Sequence, residues 1–246
     1  MGNFADLQAA LGLLDQGTGH LATARNKPPP FETIDDTVFL CIEVDPSKHD
    51  WSYITEIGIA VMDTRECEEV CPGPGGRNWF QFIDCRHLTI HENKHLLNRH
   101  NTTAGEHTFE VGTNENGASE NKHLQDVQKG VQQVLSSPEI GEGFDEERNV
   151  VLVLFDAGQQ LRLLNHLGVD MYDEPDIMFT AGVRGLCSGG NGRHIELSRL
   201  AKVLQLEHED LLNAGNRADT IVQCLVRLTC FKTFNPKHFA NILSGL

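Results

Sequence analysis

Hydrophobic and polar positions alternate most clearly between residues 37 and 62. Thr37–Glu43 is apolar and rich in β-branched residues, the pattern of a buried strand. After a polar loop, Tyr53–Met62 places Ile54, Glu56, Gly58 and Ala60 on one face and Thr55, Ile57, Ile59 and Val61 on the other. A tip of Pro and Gly, Cys71-Pro-Gly-Pro-Gly-Gly76, leads to a third expected strand, Asn78–Ile83, completing an antiparallel meander. Residues 84–123 read as irregular and rich in His and Asn. A helix is expected over about Asn121–Leu135, with Leu124, Val127, Val131 and Val134 as its stripe. An acidic loop, Pro138–Arg148, precedes the apolar run Val150–Phe155, which reads as a central strand. A helix over Gly158–Leu167, a short strand near Asp176–Phe179 and helices over Glu196–Leu206 and Asn213–Cys230 follow, with a turn or two of helix in Pro236–Leu246.

The N-terminal stretch differs. Residues 3–14 carry Phe4, Leu7, Leu11 and Leu14 on one helical face, and residues 15–31 form a linker with Pro28-Pro29-Pro30. The chain therefore divides into an N-terminal helix and linker over 1–31 and one domain over 32–246. The helix either docks back on that domain or serves as a contact for a partner or a second copy.

Strands, helix, strand, helix, strand and helices in this order make an α/β fold with a mixed sheet: an antiparallel three-strand meander, parallel strands, and helices on the flanks. The RNase H-like fold has this order. Composition is that of a globular protein, and no run approaches the roughly 18 apolar residues of a membrane span. The N-terminus lacks the basic and apolar regions of a signal peptide. The net charge of −15 argues against strong non-specific binding of nucleic acid, which runs on neutralised phosphates. Seven cysteines, an odd number scattered through expected strands and helices, read as reduced thiols of cytoplasm or nucleus.

Several groups carry candidate chemistry. Glu43 and Asp45 end the first strand two residues apart, so both project from one face and could share a divalent metal. Cys67 and Cys71 form a CxxxC pair without a second pair at zinc-finger spacing. His87, His91 and His95 would align on a helix, and His91–His95 spells H-E-x-x-H; its polar surroundings do not suit a zinc-protease helix. The run Ser188–Gly192 lacks the phosphate-loop pattern.

Four blocks carry a resemblance: Glu43-Val-Asp45; Ile54–Ala60 with Asp63-Thr64; His87–Asn98 with Phe109–Thr113; and Asn213-Ala-Gly-Asn216 heading the last long helix. With them the chain resembles the DEDDh 3′–5′ exonuclease superfamily, and looks most like the fungal branch that includes a poly(A) RNA export suppressor and an Argonaute-interacting exonuclease of quelling. The resemblance implies Asp-x-Glu on the first strand, an Asp on a later helix, and a His with an Asp five residues on, together holding two Mg²⁺ or Mn²⁺ ions and a base. This sequence departs from that pattern. Glu43 and Asp45 are inverted, Gln160 stands at the helix Asp with Asp156 four residues earlier, Leu212 stands at the His and Arg217 at the last Asp. Asp219 lies about 200° round the helix from Arg217.

The expectation is a pseudo-exonuclease with no catalytic residue at the degenerate positions Gln160, Leu212 and Arg217. A vestigial site would comprise Glu43, Asp45, Asp156, Asn213 and Asn216, with no metal or cofactor. Arg217 is expected to lie in the metal space and contact Glu43 or Asp45. The implied role is a protein-interaction or nucleic-acid-recognition module in RNA metabolism or RNA silencing, with a protein partner and short single-stranded RNA as candidate ligands. The alternative is a metal-dependent 3′–5′ exonuclease on single-stranded RNA or DNA, in which Glu43 and Asp45 hold Mg²⁺ or Mn²⁺ and His208 is the base. A third reading is nucleic-acid binding along Arg162, Arg184, Arg193 and Arg199.

Overall fold

A computed structural model describes residues 2–33, 37–97, 119–136, 149–169, 177–188, 195–206 and 211–246. The elements in chain order are α1 (Phe4–Ala10), β1 (Val38–Pro46), β2 (Ile54–Asp63), β3 (Ile83–Ile90), β4 (Glu120–Lys122), α2 (Leu124–Ser136), β5 (Val150–Leu154), α3 (Ala157–His166), β6 (Ile177–Gly182), α4 (Val183–Ser188), α5 (Leu197–Val203), α6 (Ala214–Phe234) and α7 (Pro236–Gly245). The six strands form one mixed sheet in the order β4-β3-β2-β1-β5-β6. β1, β2 and β3 are antiparallel neighbours; β4, β5 and β6 join in parallel. This is the expected α/β architecture, a mixed sheet flanked by helices.

Because side chains alternate across a strand, β1 is apolar on both faces and separates two cores. On one face Phe39, Cys41, Ala60, Met62 and Cys85 pack against α6. On the other, Leu40, Ile42, Val44, Ile57 and Ile59 pack against α2 and α3. Glu43 and Asp45 continue the Phe39–Cys41 face, so they point to the α6 side at the end of the sheet.

α1 contributes to the α6-side core. Leu7, Leu11 and Leu13 are fully buried there, and Gln8 Nε2 donates to Thr233 Oγ1 on α6 at 2.9 Å. The helix, which ends at Ala10 rather than near Leu14, thus docks on the domain through Phe4 and Leu7, with Leu11 and Leu13 following it into the core, while Leu14 stays half-buried outside it.

Two expectations about the meander are corrected. The third strand is not Asn78–Ile83. Pro74–Phe82 forms 3₁₀ turns, broken by Gly75 and Gly76 at φ +63° and +77°, and the strand runs over Ile83–Ile90, within the tract read as irregular. The cause is Trp79, fully buried, with Nε1 donating to Val70 O at 2.8 Å; burial in a tertiary contact overrides the strand propensity of an aromatic run. The histidines therefore share no helix. His87 lies in β3, His91 follows it in a turn, and His95 lies in a single 3₁₀ turn, Lys94–Leu96, which removes the H-E-x-x-H geometry.

Candidate functional site: a carboxylate pair closed by an arginine

The site forms where β1 outruns its neighbour. β5 pairs with β1 only as far as Cys41, so the edge beyond lacks a strand partner there. Gln160 on α3 fills the gap. Its Oε1 accepts from Val44 N at 3.0 Å, and its Nε2 donates to the Glu43 carboxylate and, at 3.4 Å, to Val44 O. A carboxamide suits this position because it both accepts and donates; a carboxylate could accept from Val44 but could not donate to Glu43. Glu43 and Gln160 are both buried.

On the other side, β1 and β2 pair with Glu43 opposite Gly58 and Asp45 opposite Glu56. Gly58 lets the N-terminus of α6 approach the sheet: a Cβ there would overlap Ala214 O and lie 2.7 Å from Gly215 N. Asn213 caps this helix, its side chain accepting from Asn216 N at 2.8 Å. Asn216 is buried within the same turn, its carbonyl accepting from Thr220 Oγ1 at 2.7 Å. Glu56 accepts from Ala214 N at 3.2 Å and stands 3.4 Å from His87 Nε2; His87 Nδ1 in turn meets Ser119 Oγ at 2.7 Å.

The first turn of α6 thus delivers Arg217 to the carboxylates. Its Nη2 lies 3.1 Å from Asp45 Oδ2, and its Nη1 donates to Leu212 O at 3.1 Å and more weakly to Leu211 O at 3.4 Å. The expected contact is present, to Asp45. Burial pushes the Glu43 carboxyl up to about 7 against the pull of Arg217, with the charges of Asp45 and Asp156 adding to the rise. Burial also raises Asp45, again opposed by Arg217. Burial would raise Glu56 too, but the hydrogen bond and charge of His87, with Arg217 and Ala214 N, hold it below the ordinary value. For Arg217 burial works against the charge, and Asp45, Glu43 and Glu56 outweigh it, so its affinity for the proton rises.

The remaining sequence-derived positions lie apart from this pair. Asp156 caps α3 by accepting from Gln159 N at 3.2 Å and forms an ion pair with Arg184. Asp219 is buried on α6 and accepts from Gln223 Nε2 at 2.7 Å. Leu212 is 44% exposed and Trp51 58%; with Lys48, Gln159, Asp45 and Arg217 they line an open cleft of about 340 Å³. Of the arginines read as a basic edge, Arg184 is paired with Asp156 and Arg199 donates to Gly245 O at 3.0 Å. Arg162 is exposed. Arg193 and His208 lie outside the described residues, as do 98–118 of the third motif block.

Two residues of the site escape a sequence reading focused on β1. Glu56 and His87 complete the carboxylate network. The alternation of β2 puts Glu56 on the face of Gly58, and hairpin register alone would have set it opposite Asp45. His87 carries no comparable signal while its strand is placed five residues too early.

The family's two metals do not fit the residues present. One carboxylate is engaged by the Gln160 amide and the other by a guanidinium that fills the space beside it. Among the described residues, no group of three His, Cys, Asp or Glu side chains converges as metal ligands.

Comparison with known proteins gives a family match. Residues 38–228, more than half of the chain, match the DEDDh family described as DNA polymerase III subunit epsilon-like, C-terminal domain. No curated protein sequence matches the chain. Among solved structures, the nuclease domain of 3′hExo, a DEDDh family member bound to rAMP, is similar at 13% identity and a TM-score of 0.42, over 82% of this chain and 96% of that one. A full-length 3′-exonuclease is similar at 11% identity and a TM-score of 0.44, over 82% of this chain and 64% of that one.

Proposed function

We propose, from the premise that the chain belongs to the DEDDh family of DNA polymerase III epsilon-like domains, that it is an exonuclease-like module that binds rather than hydrolyses. The observation that carries this reading is the Arg217–Asp45 pair at 3.1 Å, joined to the Gln160–Glu43 hydrogen bond. Two-metal hydrolysis needs carboxylates free to hold cations that steady the entering and leaving oxygens. Here the cation is covalent, cannot activate water, and repels a second one. Leu212, at the position of the family's base, cannot take a proton.

The cleft suits a protein partner. Leu212 and Trp51 offer exposed apolar surface on its rim, and tryptophan is the kind of side chain that anchors interfaces. RNA metabolism or RNA silencing, in cytoplasm or nucleus, is the setting we infer from the resemblance to the quelling branch. Short single-stranded RNA is a second ligand class for the same cleft, with Lys48 beside it.

The alternative is a metal-dependent 3′–5′ exonuclease with Glu43 and Asp45 as ligands. It draws on the gathered carboxylates: burial first, then the charges of Asp45 and Asp156, raise the Glu43 carboxyl. Calorimetric titration with Mn²⁺ beside an assay for release of 3′ nucleotides separates the two. The expected result is no saturable heat and no release. Saturable Mn²⁺ binding with metal-dependent release, lost in Glu43→Gln, would establish the alternative.

A further inference from the structure

His91 and Glu92 of the H-E-x-x-H run take no part in the cleft, and the fold brings a different histidine to them. β3 and β4 pair in parallel up to Ile90 and Lys122, and His91 N donates to Lys122 O at 2.8 Å. His91 and His123 are therefore the next residues of two adjacent strand ends, and the ladder sets their backbones side by side. Their ring centroids stand 4.8 Å apart, with the planes tilted by 55°.

Each ring is held at its Nδ1. His123 Nδ1 lies 3.0 Å from Glu92 Oε1, and Glu92 Oε2 accepts from Leu124 N at 3.1 Å at the head of α2. A carboxylate at Nδ1 keeps the proton there and leaves a lone pair on Nε2. His91 Nδ1 meets the Asn121 amide at 3.0 Å, and the same amide meets Thr89 Oγ1 at 3.3 Å. Turning the amide over exchanges donor and acceptor at both contacts, so Asn121 serves equally a His91 with its proton on Nδ1. Neither Nε2 has a partner among the described residues. Packing does not account for the pinning, because both rings are exposed.

We propose that His91 and His123 bind one divalent transition-metal ion, Zn²⁺ or Cu²⁺, through their Nε2 atoms, as a clip between the end of β3 and the head of α2. Two imidazoles bonded to one metal at about 2.0–2.1 Å bring their ring centroids roughly 4.5–5.3 Å apart, at angles from square-planar to tetrahedral. The separation of 4.8 Å falls in that range. Water completes the coordination. Glu92 is the carboxylate that orients a ligating histidine from outside, and its charge offsets the positive end of α2 beside the cation. Imidazole nitrogen favours Cu²⁺ and Zn²⁺ over Mn²⁺, so the site is separate from the Asp45–Arg217 cleft and stands under either reading of it.

The test strips the whole chain of metal, titrates it with Zn²⁺ by calorimetry, melts it with and without Zn²⁺, and records the electron paramagnetic resonance of its Cu²⁺ adduct. Wild type is expected to bind Zn²⁺ saturably, to melt higher in its presence, and to give a Cu²⁺ spectrum with two nitrogen ligands. Because both rings are exposed, H91A and H123A are expected to fold as wild type does and to lose both the Zn²⁺ shift in melting and the two-nitrogen spectrum. E92Q keeps both ligands and is expected to weaken Zn²⁺ binding about tenfold. Absence of saturable Zn²⁺ binding by wild type, or a shift in melting that survives in H91A and H123A, would overturn the proposal.

Discussion

A guanidinium and a divalent cation meet a carboxylate differently, and in this cleft the guanidinium of Arg217 stands 3.1 Å from Asp45. Its charge stands where a cation is needed, beside two carboxylates taken largely out of water. Removing it leaves those charges uncompensated. Arg217→Met is therefore expected to destabilise the fold by about 3 kcal/mol at pH 8, read from chemical denaturation, and by clearly less at pH 5, where Glu43 is protonated. The raised Glu43 carboxyl has its own signature. Its folded value of about 7 exceeds the ordinary 4.5, so between these pH values the native state holds a proton that the unfolded chain has lost. The Glu43 contribution to stability is thus full below pH 4.5, is lost as pH rises through 7, and then levels, a change on the order of 3 kcal/mol at most. Asp45, also raised, adds a fall of the same sign. Glu43→Gln should remove the Glu43 part of the slope in melting temperature against pH; an unchanged slope would assign it elsewhere.

Among the elements, the contact of β2 with the head of α6 aims the arginine. Gly58 makes it possible: a methyl group there collides with the backbone of Ala214 and Gly215, which cannot move as a side-chain end can. Gly58→Ala is expected to cost about 3 kcal/mol or more, seen as a lower denaturation midpoint, and to weaken the coupling of Arg217 to Asp45 in a double-mutant cycle. Much of this was legible in the sequence. The strand character of β1 and β2 follows from their alternation, the start of α6 follows from Asn213 as a cap, and the inverted carboxylates with Gln160 and Arg217 at the degenerate positions foretold the ion pair. What was not legible depends on distant partners. Asn78–Phe82 has the composition of a strand, but Trp79 is drawn into the α6-side core, and two left-handed glycines kink the 3₁₀ turns just before it. The role of Gln160 in completing the ladder beside Val44 depends on β5 stopping at Cys41, a length that no local pattern sets.

At the scale of the molecule, one sheet divides two cores, and the chain's first helix belongs to one of them. Leu7 is fully buried in the cluster that includes Ile221, Leu225 and Leu228 of α6. Leu7→Ala is expected to lower global stability by about 3 kcal/mol in a single transition that moves together by fluorescence and circular dichroism; a separate early transition would show that α1 folds apart from the rest. The same buried setting keeps Cys41, Cys85 and Cys224 well above the usual thiol range, chiefly by desolvation, so slow alkylation is expected for these thiols in the native state. The arginine that closes the cleft has a further consequence. A bound ion stabilises in proportion to the logarithm of its concentration over its dissociation constant, but Arg217 is part of the chain and has no dissociation constant. On the binding-module reading proposed above, the cleft keeps its charge and shape whether magnesium is scarce or abundant, and in H91A, which lacks the histidine pair, a chelator such as EDTA is expected to leave the melting temperature unchanged. That reading gives a surface constant across ionic conditions under which a metal-dependent relative would lose its cations.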